Sequence, residues 1–275
     1  MDNAFFDEMW VDGSSIRIPY YNIKAWLDSE DRNSLRAKQR DADALFRLTG
    51  ITFNVYGAKE GEERLIPFDI IPRVITANEW NRICQGLEQR VRAINAFLYD
   101  IYHAQEIIKA GVLPLEMLRN NKAFLVQMVG IDPPGQIYNH ISGIDLIRTE
   151  ENEFFVLEDN VRTPSGVSYM LENRETMLQM FPELFTNNRV QPIQNYPQEL
   201  LYSLMQTLPP TANNKPTVCL LTPGQYNSAY SEHAFLADQM GIELVQGNDL
   251  KVVDGFLTMR TTRGYQKVDV IYKRI

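Results

Sequence analysis

Residues 158–168 read EDNVRTPSGVS, directly after the apolar run FFVL. Glu158, Asp159 and Asn160 are hard oxygen donors, the kind that Mg²⁺ takes together with waters and phosphate oxygens. Arg162 follows two residues on and can offer a two-pronged fork to a phosphate or a carboxylate. Thr163, Ser165 and Gly166 can supply hydroxyl and backbone N–H donors just where a helix is about to begin. The group reads either as a polar surface turn or as a site for a cation and a phosphate.

Such a site depends on the strands that carry it. Gly143–Thr149 and Glu153–Asn160 read as an antiparallel hairpin with a two-residue turn at Glu151-Asn152. That register sets Asp145 opposite Glu158 and Gly143 opposite Asn160. Side chains alternate between faces, so Glu158 and Asn160 also share one face. Facing like charges repel, but a divalent cation between them makes the pair favourable. Asp145, Glu158 and Asn160 are therefore the candidate metal ligands, and Gly143 is expected to leave room above Asn160 for a ligand. A slip of one residue would separate the acids, so the alternative of solvent-facing acids stays open.

Other segments frame this hairpin. A charge-rich helical piece lies near DSEDRNSLRAKQRDADALFRL, followed by a strand at GITFNVYGA and a hairpin turn with a short strand in KEGEERLIPFDIIPRVI. Trp80, Ile83, Leu87, Val91, Ile94, Leu98 and Ile101 recur three or four apart, which predicts one amphipathic helix from Glu79 to about Ala110. Gly111 and Pro114 punctuate its end. A short helix near Leu115–Asn120 and a strand at AFLVQMVG are expected next. Helix returns at SYMLENRETMLQMFPELF, and Pro192–Pro197 reads as a linker. PTVCLLTPG, SAYSEHAFLADQMG and IELVQ then read as a βαβ unit with Gly241 as the helix C-cap. VVDGFL carries an Asp-Gly hairpin signal.

Composition narrows the function classes. The 275 residues are 44% hydrophobic and 23% charged, as expected for a globular protein with a substantial core. A formal net charge of −8 argues against a nucleic-acid or anionic-membrane surface. Cys84 and Cys219 lie far apart in apolar contexts and predict free thiols in a reducing compartment. The opening MDNAFFDEMWVDGSS lacks the basic and apolar regions of a secretory leader, and no run approaches a membrane span. A cytoplasmic protein is expected. The closing KVDVIYKRI reads as a core strand in progress, which predicts that the chain is the front part of a longer protein.

Competing chemistry is less well supported. LLTPGQYNSAYSEHAF joins a strand to a helix N-terminus but matches neither GxGxxG nor GxxxxGK[ST]. His233, on that helix, reads as structural, and His103 and His140 have no nucleophilic partner in a recognisable motif. A glycosidase using Asp145 and Glu158 as its acid pair would leave Asn160 and the Arg-Thr-Pro-Ser-Gly loop without a role.

GIDLIRTEENEFFVLEDNVRTPSGVSYMLENRETM resembles the signature stretch of the circularly permuted ATP-grasp proteins related to glutathionylspermidine synthase. GITFNVYG, IPFDIIPRVI and GLEQRVRAINAFLYDIY resemble N-terminal segments of the same family, so the likeness runs from about residue 45 to the end. The LEDN-R-PSG block is its most specific part. ATP-grasp proteins carry Mg²⁺ on an acid–x–Asn pair at a strand end plus an acid from a neighbouring strand. Residue by residue, that maps onto Glu158, Asn160 and Asp145.

The resemblance implies an α+β / α/β fold, ATP-grasp-like and circularly permuted, with a βαβ unit of the kind that accompanies an ATP-grasp module, incomplete at its C-terminus. It places the permuted core at 1–190, with the metal-site hairpin and N-terminal helices, and a Rossmann-like substrate-side domain at 191–275. The implied reaction is ATP- and Mg²⁺-dependent joining of a carboxylate to an amine through an acyl phosphate, on small-molecule or peptide substrates. Arg162 would hold the transferred group, with Arg148 second because alternation puts it on the face opposite Asp145, where it reads equally well as a surface charge. Ser165, Gly166 and Lys273 would contact the nucleotide, although Lys273 reads equally well as part of an exposed basic tail. The other reading is a relative that keeps the fold as a binding or scaffold protein without turnover, or a truncated inactive fragment.

Overall fold

The computed structural model describes residues 6–50, 52–54, 63–212 and 214–275. It contains two compact units: Ile75–Pro164 together with Phe6, and Asp7–Val74 together with Ser165–Ile275. These contact units cut the chain differently from the 1–190 and 191–275 domains drawn from the sequence, which stand as a proposal. Among the described residues no helix is long and apolar enough to cross a membrane.

The second unit begins with α1 (Tyr21–Ser29) and α2 (Arg32–Leu48). Asp31 caps α2 by accepting from the amides of Asn33 and Ser34 at 2.7 and 2.9 Å, which satisfies donors left free at a helix start. Strands β1 (Thr52–Asn54) and β2 (Glu63–Leu65) pair antiparallel. The expected connecting turn lies outside the described residues.

The first unit holds α3 (Ala77–Tyr102), α4 (Glu106–Lys109), α5 (Leu115–Arg119), β3 (Gly143–Glu150) and β4 (Glu153–Asn160). Helix α3 opens on a reciprocal capping box between Thr76 and Glu79. It ends eight residues before the expected Ala110. Gln105 adopts a left-handed conformation, with φ of 55°, and the Asp100 carboxylate accepts from the amides of Glu106 and Ile107 at 2.8 and 2.9 Å. A side-chain cap thus competes with helix continuation. The strand expected at AFLVQMVG is also absent: residues 126–128 form a 3₁₀ turn. Phe124 stacks on Tyr102 with ring centroids 4.9 Å apart, so this apolar run packs against the buried Ile101, Tyr102 and Leu118 rather than pairing in a sheet.

The second unit resumes with α6 (Val167–Met180), α7 (Pro182–Thr186), α8 (Tyr196–Met205), β5 (Val218–Leu221), α9 (Tyr230–Met240) and β6 (Glu243–Val245). Strands β7 (Leu250–Val253), β8 (Phe256–Thr261), β9 (Gly264–Lys267) and β10 (Val270–Lys273) complete it. One core gathers Trp26, Phe46, Phe68, Met177 and Phe181, with Trp26 and Phe181 edge to face at 5.4 Å. The βαβ unit forms as expected: β5 and β6 pair in parallel, and Gly241 caps α9 at φ of 66°. Strand β10 pairs in parallel with the other side of β5. The Asp-Gly hairpin also forms, joining β7 to β8 with Asp254 and Gly255 both at positive φ. Cys84 and Cys219 are free thiols, and burial pushes the Cys219 thiol up to about 11.

Candidate functional site

The hairpin expected from the sequence is present at the residues named for it. Asp145 pairs with Glu158 and Gly143 with Asn160. Between that end and the turn the ladder departs from the expected register. Leu146 faces Val156, Ile147 faces Phe155 and Arg148 faces Phe154, one residue off the regular count. Leu157 is left without a partner on β4, and Thr149 on β3. The two irregularities cancel, so the end that carries the acids returns to the register counted from the turn.

The extra residue on β4 decides which side chains face outward. Phe154 and Val156 are half-buried on the side facing α3, and Phe155 and Leu157 are 50% and 65% exposed on the other. Glu158 follows Leu157 and is exposed as well, Asp159 is half-buried, and Asn160 is exposed. On β3 Ile144, Leu146 and Arg148 are half-buried and alternate with exposed Asp145 and Ile147. Asp145, Glu158 and Asn160 therefore lie on the open face. The Asn160 amide donates to Glu158 Oε1 at 3.1 Å.

Asp159, the acid between the outward-facing Glu158 and Asn160, points the other way. The Arg90 guanidinium on α3 grips it with two bonds, Nε to Oδ1 at 2.7 Å and Nη2 to Oδ2 at 2.6 Å. That hydrogen bonding holds the Asp159 carboxyl below its usual range. The chain around the acid-bearing end is tied down as well. Asn95 Oδ1 accepts from the amides of Tyr138 and Asn139 at 2.8 and 2.9 Å. The buried Asn139 amide group donates in turn to the Val161 carbonyl, one residue past β4.

Gly143 has a different purpose from the one expected. A Cβ built there would meet Pro164 Cβ at 2.6 Å. The space above the glycine is occupied by the proline of the loop, not left for a ligand. Arg162 and Thr163, earlier in that loop, are exposed, and among the described residues Arg162 has no partner. Arg148 lies on the face away from Asp145, as alternation required. It is not a surface charge: its side chain is 5% exposed and ion-paired with Glu79, and its guanidinium lies 5.3 Å from the ring of Phe154.

The start of α6 is already occupied. The carboxylate of Glu232, fully buried on α9, accepts from the Gly166 amide at 2.6 Å and from the Ser168 amide and hydroxyl at 3.2 Å each. Its other oxygen accepts from Arg274 at 2.9 Å. An anion could take the Gly166 amide only by displacing this carboxylate. Ser165 is exposed, and so is Lys273 at the end of β10. On the same helix as Glu232, His233 is buried and shares a hydrogen bond of 2.9 Å with the Thr222 hydroxyl. Burial first, and the Arg274 charge second, bring its pKa down to about 4.

Three of these contacts escaped the reading of the sequence: Arg90 with Asp159, Glu232 with the α6 start, and Glu79 with Arg148. A local signal existed only for the Thr76–Glu79 capping box, whose spacing is diagnostic. The donor set suits a hard cation: two carboxylates and an amide oxygen, with neither acid paired to a cationic side chain among the described residues. Among those residues no cluster of three His, Cys, Asp or Glu side chains gathers, so any cation here would rest on two acids and the amide.

Comparison with known proteins gives a consistent picture. Residues 72–275 match the family model described as circularly permuted ATP-grasp type 2. An uncharacterized protein of Synechocystis sp. is 46% identical over 98% of this chain and 56% of its own length. One from Mycobacterium tuberculosis is 48% identical over 98% of this chain and 48% of its own length. The chain thus spans about half the length of these curated relatives. A protein of Frankia alni named putative glutamate–cysteine ligase is 35% identical, with 99% of this chain and 31% of its own length covered. Among solved structures, a glutathione synthetase-like effector from Globodera pallida, in its apo form, has a TM-score of 0.54 at 15% identity, covering 90% of this chain and 58% of the effector. That likeness supports the mixed α/β fold. With the model matching most of its length, the chain belongs to the circularly permuted ATP-grasp type 2 family.

Proposed function

We propose that the chain serves an ATP- and Mg²⁺-dependent ligase that joins a carboxylate to an amine, with Asp145, Glu158 and Asn160 as the cation ligands. The observation that carries this is that those three side chains share one open hairpin face, with neither acid paired to a cationic side chain among the described residues. Family membership and the ligase name of the Frankia relative support the reaction class.

When bound, Mg²⁺–ATP would supply charge neutralisation and the phosphoryl group that activates a carboxylate. The chain's own contribution is to hold and orient. Asp145 and Glu158 are register partners on separate strands and would present their oxygens together; Asn160 would add a neutral oxygen from the same strand end. Arg162, exposed two residues further on, is the candidate to hold a phosphate or substrate carboxylate by a two-pronged contact. Ser165 and Lys273 are proposed nucleotide contacts. Gly166 is a weaker one, because its amide is bonded to Glu232.

The test is ADP release from Mg²⁺–ATP over a panel of acid and amine pairs, comparing wild type with Glu158→Gln. Release with at least one pair by wild type, and its loss in the variant, is expected. Equal release by both proteins would overturn the assignment. A second reading, a binding protein without turnover, has one observation in its favour: the α6 N-terminal donors are already filled by Glu232.

A further inference from the structure

The sequence Glu158-Asp159-Asn160 offers two ways to divide its polar groups between the faces of the hairpin. With the extra residue at Leu157, Glu158 and Asn160 face outward and Asp159 faces α3. Without it, the ladder seen at Leu146–Arg148 would continue unbroken. Asp145 would then face Leu157, Ile144 would face Glu158, and Asp159 would turn outward. The regular ladder keeps every backbone pair, whereas a bulge leaves one residue unpaired. Something must therefore favour the irregular form.

We propose that Arg90 is a positioning residue: by gripping Asp159 on the α3 side it fixes the one-residue shift that presents Glu158 and Asn160 together on the open face. Its fork matches the short Asp159 carboxylate with two bonds at 2.7 and 2.6 Å, and such bidentate pairing fixes orientation as well as distance. The contact spans 69 residues of sequence, so it ties the hairpin to the middle of the long helix. It also neutralises the one acid of the trio that does not face outward. Arg90 itself does not reach the open face.

This inference rests on the cation-site reading for its functional meaning, but its structural part can be tested separately. The register of wild type, Arg90→Gln and Arg90→Lys is read from cross-strand Hα contacts by NMR. Mn²⁺ affinity is measured on separate samples of the same proteins. Wild type should show the Asp145–Glu158 contact. Arg90→Gln should lose it in favour of Asp145–Leu157 and bind Mn²⁺ about tenfold more weakly, the scale of a lost outer contact. Arg90→Lys, which keeps charge but not the fork, should fold, show both contacts and lose less affinity. If Arg90→Gln does not fold, Arg90→Lys alone carries the test. A wild-type register and wild-type Mn²⁺ affinity in the folded variants would overturn the proposal. A register shift in Arg90→Gln, with no Mn²⁺ binding by wild type, would sink the cation reading and leave the role of Arg90 standing.

Discussion

Asp145 and Glu158 face each other across the β3–β4 ladder, two carboxylates opposed where an opposite-charge or apolar pair would be more stable. Without a cation the arrangement works against the hairpin. Asp145→Asn should therefore stabilise the cation-free protein by about 0.2–1 kcal/mol. Urea denaturation in the presence of chelator checks this. A loss of stability would mean that the acids are not in repulsive contact.

Gly143→Ala should destabilise the first unit by about 1–3 kcal/mol, the usual cost of forcing an atom into filled space. The new methyl would lie 2.6 Å from the ring of Pro164. Because that ring belongs to the loop carrying Arg162, the phosphate contact proposed for Arg162 should suffer as well as stability. Denaturation together with ATP titration separates the two effects. A neutral substitution would show that Pro164 moves freely.

Glu79 caps α3 through Thr76 and also pairs with the buried guanidinium of Arg148. Removing the carboxylate takes away a buried ion-pair partner of Arg148 and the reciprocal cap of α3 together, so Glu79→Ala should cost about 3–5 kcal/mol. Arg148→Met keeps most of the packing against Phe154, and the Glu79 carboxylate it deprives of a counter-charge still accepts from the Thr76 amide and hydroxyl, so it should cost less. Thermal or urea melts of both variants decide the order, and the reverse order would contradict this assignment.

His233 supplies a pH dependence. Its folded pKa of about 4 lies below the ordinary 6.5, so between those values the unfolded chain binds the extra proton. Its contribution to stability is complete above pH 6.5 and is lost as pH falls toward 4, by up to about 3 kcal/mol. Urea melts from pH 7 to pH 4 should show this decline in wild type and a shallower one in His233→Gln. Parallel profiles would remove His233 as the cause.

What could be read from the sequence followed local rules. Period-two alternation and a two-residue turn placed Asp145 opposite Glu158, and an Asp-Gly pair located the β7–β8 turn. Gly241 marked the end of α9. Long-range pairings escaped because nothing near Arg90 announces Asp159, and nothing near Glu232 announces Gly166. The apolar run at 123–130 misled for a related reason: hydrophobicity alone does not distinguish pairing in a strand from stacking on Tyr102. The hairpin shows how a correct prediction can hide an error, since its register returned to the expected value only because two irregularities cancelled.

The most direct measurement is Mn²⁺ binding, as a Mg²⁺ substitute, to wild type, Asp145→Asn and Glu158→Gln at fixed pH and salt. The account predicts one saturable site in wild type and at least about a tenfold loss of affinity, roughly 1.4 kcal/mol, in each variant. Equal binding by all three proteins would contradict it.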